Sequence, residues 1–118
     1  MKKYLVMTLF LLSICGMLNA EEGIASYYTV ESSSNITASG EEFTNEGLTC
    51  ASMDYDFGTI LKVTNINNNK SVIVKVTDRG GFKKYGRIID LSKGSFEKIA
   101  DLKLGLITVT IQEVDYED

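Results

Sequence analysis

Apolar and polar residues alternate along much of this chain with a period of two, the signature of strands with one face turned to a core. The clearest run is SVIVKVTD at 71–78, where Val72, Val74, Val76 and Asp78 share one face and Ile73, Lys75 and Thr77 the other. Five further stretches, 23–30, 48–53, 59–66, 86–91 and 106–114, are rich in β-branched residues and often alternate in the same way. The tetrapeptide NNNK at 67–70 joins the third run to the fourth, and asparagine tolerates left-handed turns, so these two strands are expected to form a hairpin. One segment changes period. In SKGSFEKIAD, 92–101, Phe96 and Ile99 fall three apart and Ser92 stands where an N-cap belongs, which predicts the single helix, with Gly94 in its first turn counting against it. Six short strands and one helix suggest a small barrel.

The first twenty residues follow another pattern. Lys2 and Lys3 precede an apolar run from Leu5 to Leu12, loosely extended to Leu18, and Ala20 stands before EEG. This reads as a secretory signal peptide over 1–20, since the run is shorter than the roughly 20 residues that cross a bilayer. Leu12-Ser13-Ile14-Cys15 offers an alternative: it resembles the lipobox of bacterial lipoproteins, in which Cys15 would be lipidated and tie the protein to the outer membrane, although Ile14 stands where that motif takes a small residue. Either processing leaves Cys50 without a disulfide partner in a domain over 21–118, so stability is expected to come from a packed core.

Composition narrows the chemistry. The chain has no histidine, which removes histidine zinc sites, Ser-His-Asp triads and Cys-His pairs and leaves carboxylates to move protons. No metal or cofactor is expected. Lys2 and Lys3 are the only charges before Glu21, so the twelve basic residues fall to ten against sixteen acidic ones beyond it. With no basic cluster and an acidic EVDYED tail, nucleic acid and anionic membrane surfaces are not expected as partners. The polar run 31–47 is the longest irregular segment, the kind of loop that carries function. Its Asn35-Ile36-Thr37 matches a glycosylation acceptor, which carries no weight in a bacterial protein.

In VIVKVTDRGGF, 72–82, a strand of valines ends in a carboxylate, a guanidinium and two glycines. Taken alone this is a turn. Yet TASGEEF (37–43) and VTDRGGF (76–82), together with LTCAS, FGT, VTN and GRIIDLS, form an ordered series from Gly23 to about Val114. That series resembles the double-psi β-barrel domain of rare lipoprotein A (RlpA) proteins. The resemblance implies a mostly β fold, a six-stranded double-psi β-barrel with one short helix. It also implies an exported lytic transglycosylase of the periplasm or cell envelope, a monomer that acts on peptidoglycan glycan strands. Such enzymes cleave between N-acetylmuramic acid and N-acetylglucosamine and leave 1,6-anhydro ends, though some members do not cut.

Ordinary glycosidases need two carboxylates, whereas here one suffices. It protonates the departing glycosidic oxygen and then, as a base, helps the muramic 6-hydroxyl attack. The resemblance gives this role to Asp78, which the strand pattern places at the end of the core-facing row, where burial or a like charge would keep it protonated. Glu41 matches the other acidic site residue, placed to raise the pKa of Asp78 or to hold a sugar hydroxyl. Ser52, Tyr28, Arg79, Gly80 and Asp90 complete the expected substrate groove, with Asp90 also suited to a buried hydrogen-bonding role and Tyr27 and Tyr28 to core packing. Three departures stand out: Ser52 replaces a histidine, Gly81 a proline and Tyr27 a tryptophan. The missing histidine keeps open a non-catalytic, expansin-like glycan-binding module.

Overall fold

Six strands form, each within two residues of an alternating stretch: β1 (Glu21–Tyr28), β2 (Thr49–Ala51), β3 (Ile60–Asn65), β4 (Ser71–Asp78), β5 (Arg87–Ser92) and β6 (Ile107–Glu113). They are seen in a computed structural model that describes residues 20–30, 35–80 and 85–115. The predicted signal segment before Ala20, Cys15 within it, and Gly81 and Phe82 lie outside the described residues. The strands close into a barrel in the order β1-β5-β2-β4-β3-β6, which leaves no open sheet edge. The β1/β5 and β2/β4 pairs are parallel and the other four antiparallel.

The alternation fills the barrel as patterned. Leu61 and Val63 of β3, Val72, Val74 and Val76 of β4, and Ile107, Val109 and Ile111 of β6 all turn inward, with Ile89 and Leu91 of β5. The expected hairpin joins β3 to β4: Asn65 N–H donates to Lys70 O at 2.9 Å, and Asn69 takes the left-handed conformation at φ 61°. Helix α1 (Lys93–Ile99) is capped by Ser92, whose Oγ accepts from Ser95 N–H, and it buries Phe96 and Ile99 on the barrel end. Gly94 is there for space. A Cβ at that position would lie 2.8 Å from Glu46 O and 2.9 Å from Asn45 O, so only glycine lets the helix start against that loop. At the other end of α1, Nδ2 of Asn65 and of Asn68 donate to Ile99 O at 2.8 and 2.9 Å, satisfying a helix-end carbonyl.

Two register shifts interrupt the alternation, one in each parallel pair. Between β2 and β4 the pairing passes from Cys50↔Val76 to Ala51↔Asp78 and skips Thr77; between β1 and β5 it passes from Ile24↔Arg87 to Ala25↔Ile89 and skips Ile88. A bulge places two successive residues on one side, and Val76-Thr77 and Ile88-Ile89 are indeed buried as pairs. Strict alternation had placed Asp78 on the core-facing row with Val72, Val74 and Val76. The bulge gives that inward position to Thr77, and Asp78 emerges half-buried at the rim.

Candidate active site

The register lines up one row of residues across four strands: Ser26 of β1 beside Asp90 of β5, Asp90 beside Ala51 of β2, and Ala51 beside Asp78 of β4. Neighbouring strands lie about 4.8 Å apart, so the two aspartates stand about 10 Å apart at the backbone, one on each side of Ala51. Asp78 Oδ1 accepts from two backbone groups, Arg79 N–H at 2.9 Å and Ala38 N–H at 3.2 Å. No hydrogen-bond donor among the described residues reaches its Oδ2. Asp90 Oδ1 is held by side chains instead: Ser26 Oγ donates to it in a short hydrogen bond, and Arg87 pairs with it at 2.6 Å. These contacts accord with the hydrogen-bonding role expected of Asp90.

The loop 36–42 forms one wall. It folds on itself through an Ile36↔Glu42 bridge and a Thr37 N–H to Glu41 O bond at 2.9 Å, with Gly40 at φ 90° in its turn. Three contacts dock it on β4: Ser39 N–H to Thr77 O at 3.1 Å, the Ala38–Asp78 bond, and an ion pair between Glu41 and Lys75 at 2.6 Å. Glu41 is thus brought to the Asp78 end of β4. Its carboxylate is paired there with the Lys75 ammonium. Lys75 escaped the sequence reading because it occupies an ordinary outward position of a strand.

The loop after β2 forms the other wall. Ser52 is buried: it is 1% exposed, its Oγ accepts from Asp54 N–H at 3.1 Å, and its N–H donates to Asp78 O at 3.0 Å. A short hydroxyl turns back on its own backbone where a longer side chain could have reached out. Gly80 is also buried. A Cβ there would lie 2.6 Å from Asp90 Oδ2 and 3.1 Å from Ala51 Cβ, so the glycine lets the chain pass Asp90. Arg79 is exposed, but NH1 donates to Ser52 O and Tyr55 O, both at 3.1 Å, and the guanidinium lies 3.9 Å from the centre of the Phe57 ring.

The two tyrosines part company because successive strand residues face opposite ways. Tyr27 packs at 4.8 Å against Phe96 and donates to Leu102 O at 3.2 Å, a core position. Tyr28, on the same face as Ser26, stacks one ring side on Phe43 at 4.8 Å, and its buried hydroxyl has no partner among the described residues. Burial first, then the charge of Asp78, push its phenol above the ordinary value, so it stays a proton donor. Cys50, directly under the row, is an inert thiol pushed up to about 12 by burial and then by Asp90. Among the described residues no group of three His, Cys, Asp or Glu side chains is placed to hold a metal ion.

The profile of the lytic transglycolase family matches residues 20–111. Among similar proteins are the endolytic peptidoglycan transglycosylases RlpA of Campylobacter jejuni, 41% identical over 80% of this chain and 34% of that protein, and of Pseudomonas aeruginosa, 37% identical over 79% and 27%. The chain thus spans about a third or less of these relatives' length. Among solved structures, a Clavibacter michiganensis expansin superposes with a TM-score of 0.67 at 22% identity, over 84% of this chain and 52% of the expansin. A Streptomyces papain inhibitor gives 0.66 at 22% identity, over 81% and 94%. Ordered motifs, closed barrel and family match agree: the chain belongs to the lytic transglycolase family and carries its RlpA-like double-psi β-barrel domain.

Proposed function

We propose that this domain is an exported lytic transglycosylase that cleaves peptidoglycan between N-acetylmuramic acid and N-acetylglucosamine, with Asp78 as its general acid and base. The observation that carries this reading is the state of the Asp78 carboxyl: Oδ1 is fixed by two backbone N–H groups, and Oδ2 has no donor among the described residues. Oδ2 is then the oxygen available to pass a proton to the substrate and to take one back. In the first step that proton goes to the glycosidic oxygen as its bond to the muramic C1 breaks. In the second, the carboxylate takes the proton of the muramic 6-hydroxyl while its oxygen bonds to C1, and the enzyme returns to its starting form. Glu41 holds a sugar hydroxyl, and Tyr28, Arg79 and the Asp90 row border the groove.

The relatives named endolytic peptidoglycan transglycosylases support the substrate and the reaction. Export through residues 1–20 to the cell envelope, with Cys15 lipidation as the alternative, accords with a cell-wall substrate and is read directly by the mass of the mature amino terminus. A second reading is favoured by one observation, the buried Ser52 where the family carries histidine: a barrel that binds glycan without cutting it. A similar expansin has been crystallised with cellohexaose. Incubating wild type and Asp78→Asn with peptide-stripped peptidoglycan and weighing the fragments separates the two. Anhydro-muramic products from wild type alone establish the enzyme; products from both remove Asp78 from its role; glycan retention without products establishes the binding module.

A further inference from the structure

The side chain of Arg79 is exposed but anchored. Its NH1 bridges the carbonyls of Ser52 and Tyr55, 3.1 Å from each, and its plane covers Phe57 at 3.9 Å. These three partners begin, centre and end the loop 52–57, and the same loop is anchored beyond Arg79 by Ser52 N–H to Asp78 O and by Gly58 N–H to Val76 O at 2.8 Å. Tyr55 packs its side chain against the core while its carbonyl accepts from Arg79. Met53 and Phe57, 51% and 41% exposed, are the exposed large apolar side chains of this loop.

We infer that Arg79 is a positioning residue: it sets the curvature of the 52–57 wall of the groove, and so fixes how a glycan lies against Asp78 without itself carrying charge to the reaction. A guanidinium suits this because it supplies a planar face to the ring and forked N–H groups to the carbonyls at once, which an ammonium cannot. The acid does not depend on this clamp. Asp78 Oδ1 is held by Ala38 N–H and by the backbone N–H of Arg79, and both survive a change of the Arg79 side chain. The inference rests on the glycan-cleaving reading of the groove, and it makes a kinetic distinction: disturbing the wall weakens substrate binding and leaves the chemical step alone.

The test compares Arg79→Met, Arg79→Lys and Phe57→Ala on peptide-free glycan strands, and follows hydrogen exchange of the amides at 53–57. The expected result is a KM raised about fivefold in each variant with kcat within about twofold, and a Phe57→Ala/Arg79→Met double variant no worse than either single one. Exchange at 53–57 quickens while that at 37–42 stays unchanged. Full rescue of KM by lysine overturns the inference in favour of direct charge on the substrate, and so does unchanged exchange in Arg79→Met. Should wild type neither cut nor bind glycan, the glycan reading fails, and the exchange measurement alone decides whether the clamp exists.

Discussion

Asp90 and Asp78 flank Ala51 in one row, each just beyond a bulge, yet their surroundings differ in kind. Asp90 is neutralised by Arg87, accepts from Ser26, and has the backbone of Gly80 against Oδ2. Asp78 has only backbone N–H groups on one oxygen and none from the described residues on the other. A carboxylate tied to a guanidinium and a hydroxyl is fixed in place. One steered by the backbone keeps a direction and an oxygen free for chemistry. The contrast teaches that two carboxyls close together in one row are told apart by the partners each one has.

The largest expected effect follows directly. Asp78→Asn should lower turnover at least about 100-fold, within the range for a general acid, with little change in unfolding free energy. Arg87→Met should do the reverse. It removes the Arg87 partner of Asp90, whose side chain is 14% exposed, and since Arg87 is itself 33% exposed the cost is discounted to roughly 2–3 kcal/mol. Urea unfolding measures it, and replacing Asp90 by Leu in the same chain should recover part of the loss. An Arg87→Met protein as stable as wild type would show that Asp90 is not held in the way the geometry says.

Much of the fold was legible beforehand because alternation and turn chemistry are local. The β4 bounds, the Asn69 turn and the Ser92 cap depend on a few neighbouring residues each. Gly94 looked unfavourable because its reason lies in the carbonyls of Asn45 and Glu46, far along the chain. The site was legible as a set of residues through ordered motifs, and less so as contacts. Nothing local announces the bulge that skips Thr77, so Asp78 was put on the core-facing row. Ser52 and Gly80 were assigned to the substrate although tertiary packing buries both. Lys75, Ser26 and Arg87 matter through partners 34, 64 and 3 residues away, and two of those three separations exceed any sequence pattern.

A middle-sized effect reports on the two aspartates from beneath. Burial first and Asp90 second push the Cys50 thiol from 9.0 up to about 12. Between those values the folded chain keeps a proton that the unfolded chain releases. Stability is therefore unaffected by this group below pH 9 and falls as pH rises from 9 towards 12, by up to about 1.4 kcal/mol per pH unit. Unfolding measured at successive alkaline pH values should show a shallower decline in Cys50→Ala than in wild type. Asp90→Asn should narrow the window, whereas Asp78→Asn should leave it alone. Equal slopes in all four proteins would mean that Asp90 does not act on the thiol.

The smallest effect concerns the ties that hold Glu41 and Asp78 to the same loop. The Glu41–Lys75 pair is short but open to solvent, with 47% and 40% of its side chains exposed, so Lys75→Met should cost no more than about 1 kcal/mol of stability. The bonds from Ala38 and Ser39 to β4 are backbone contacts that salt does not screen, and they hold Asp78 in place without Lys75. At about 1 M salt, where charges are screened beyond about 3 Å, wild type should approach the Lys75→Met variant in glycan binding, because both then lack an effective tie on Glu41. Turnover at saturating glycan should change little in either case, since the acid stays put. If salt lowers wild-type turnover as much as it weakens binding, the two carboxylates are coupled through the loop, and the separation between a backbone-held acid and a side-chain-held binding residue fails.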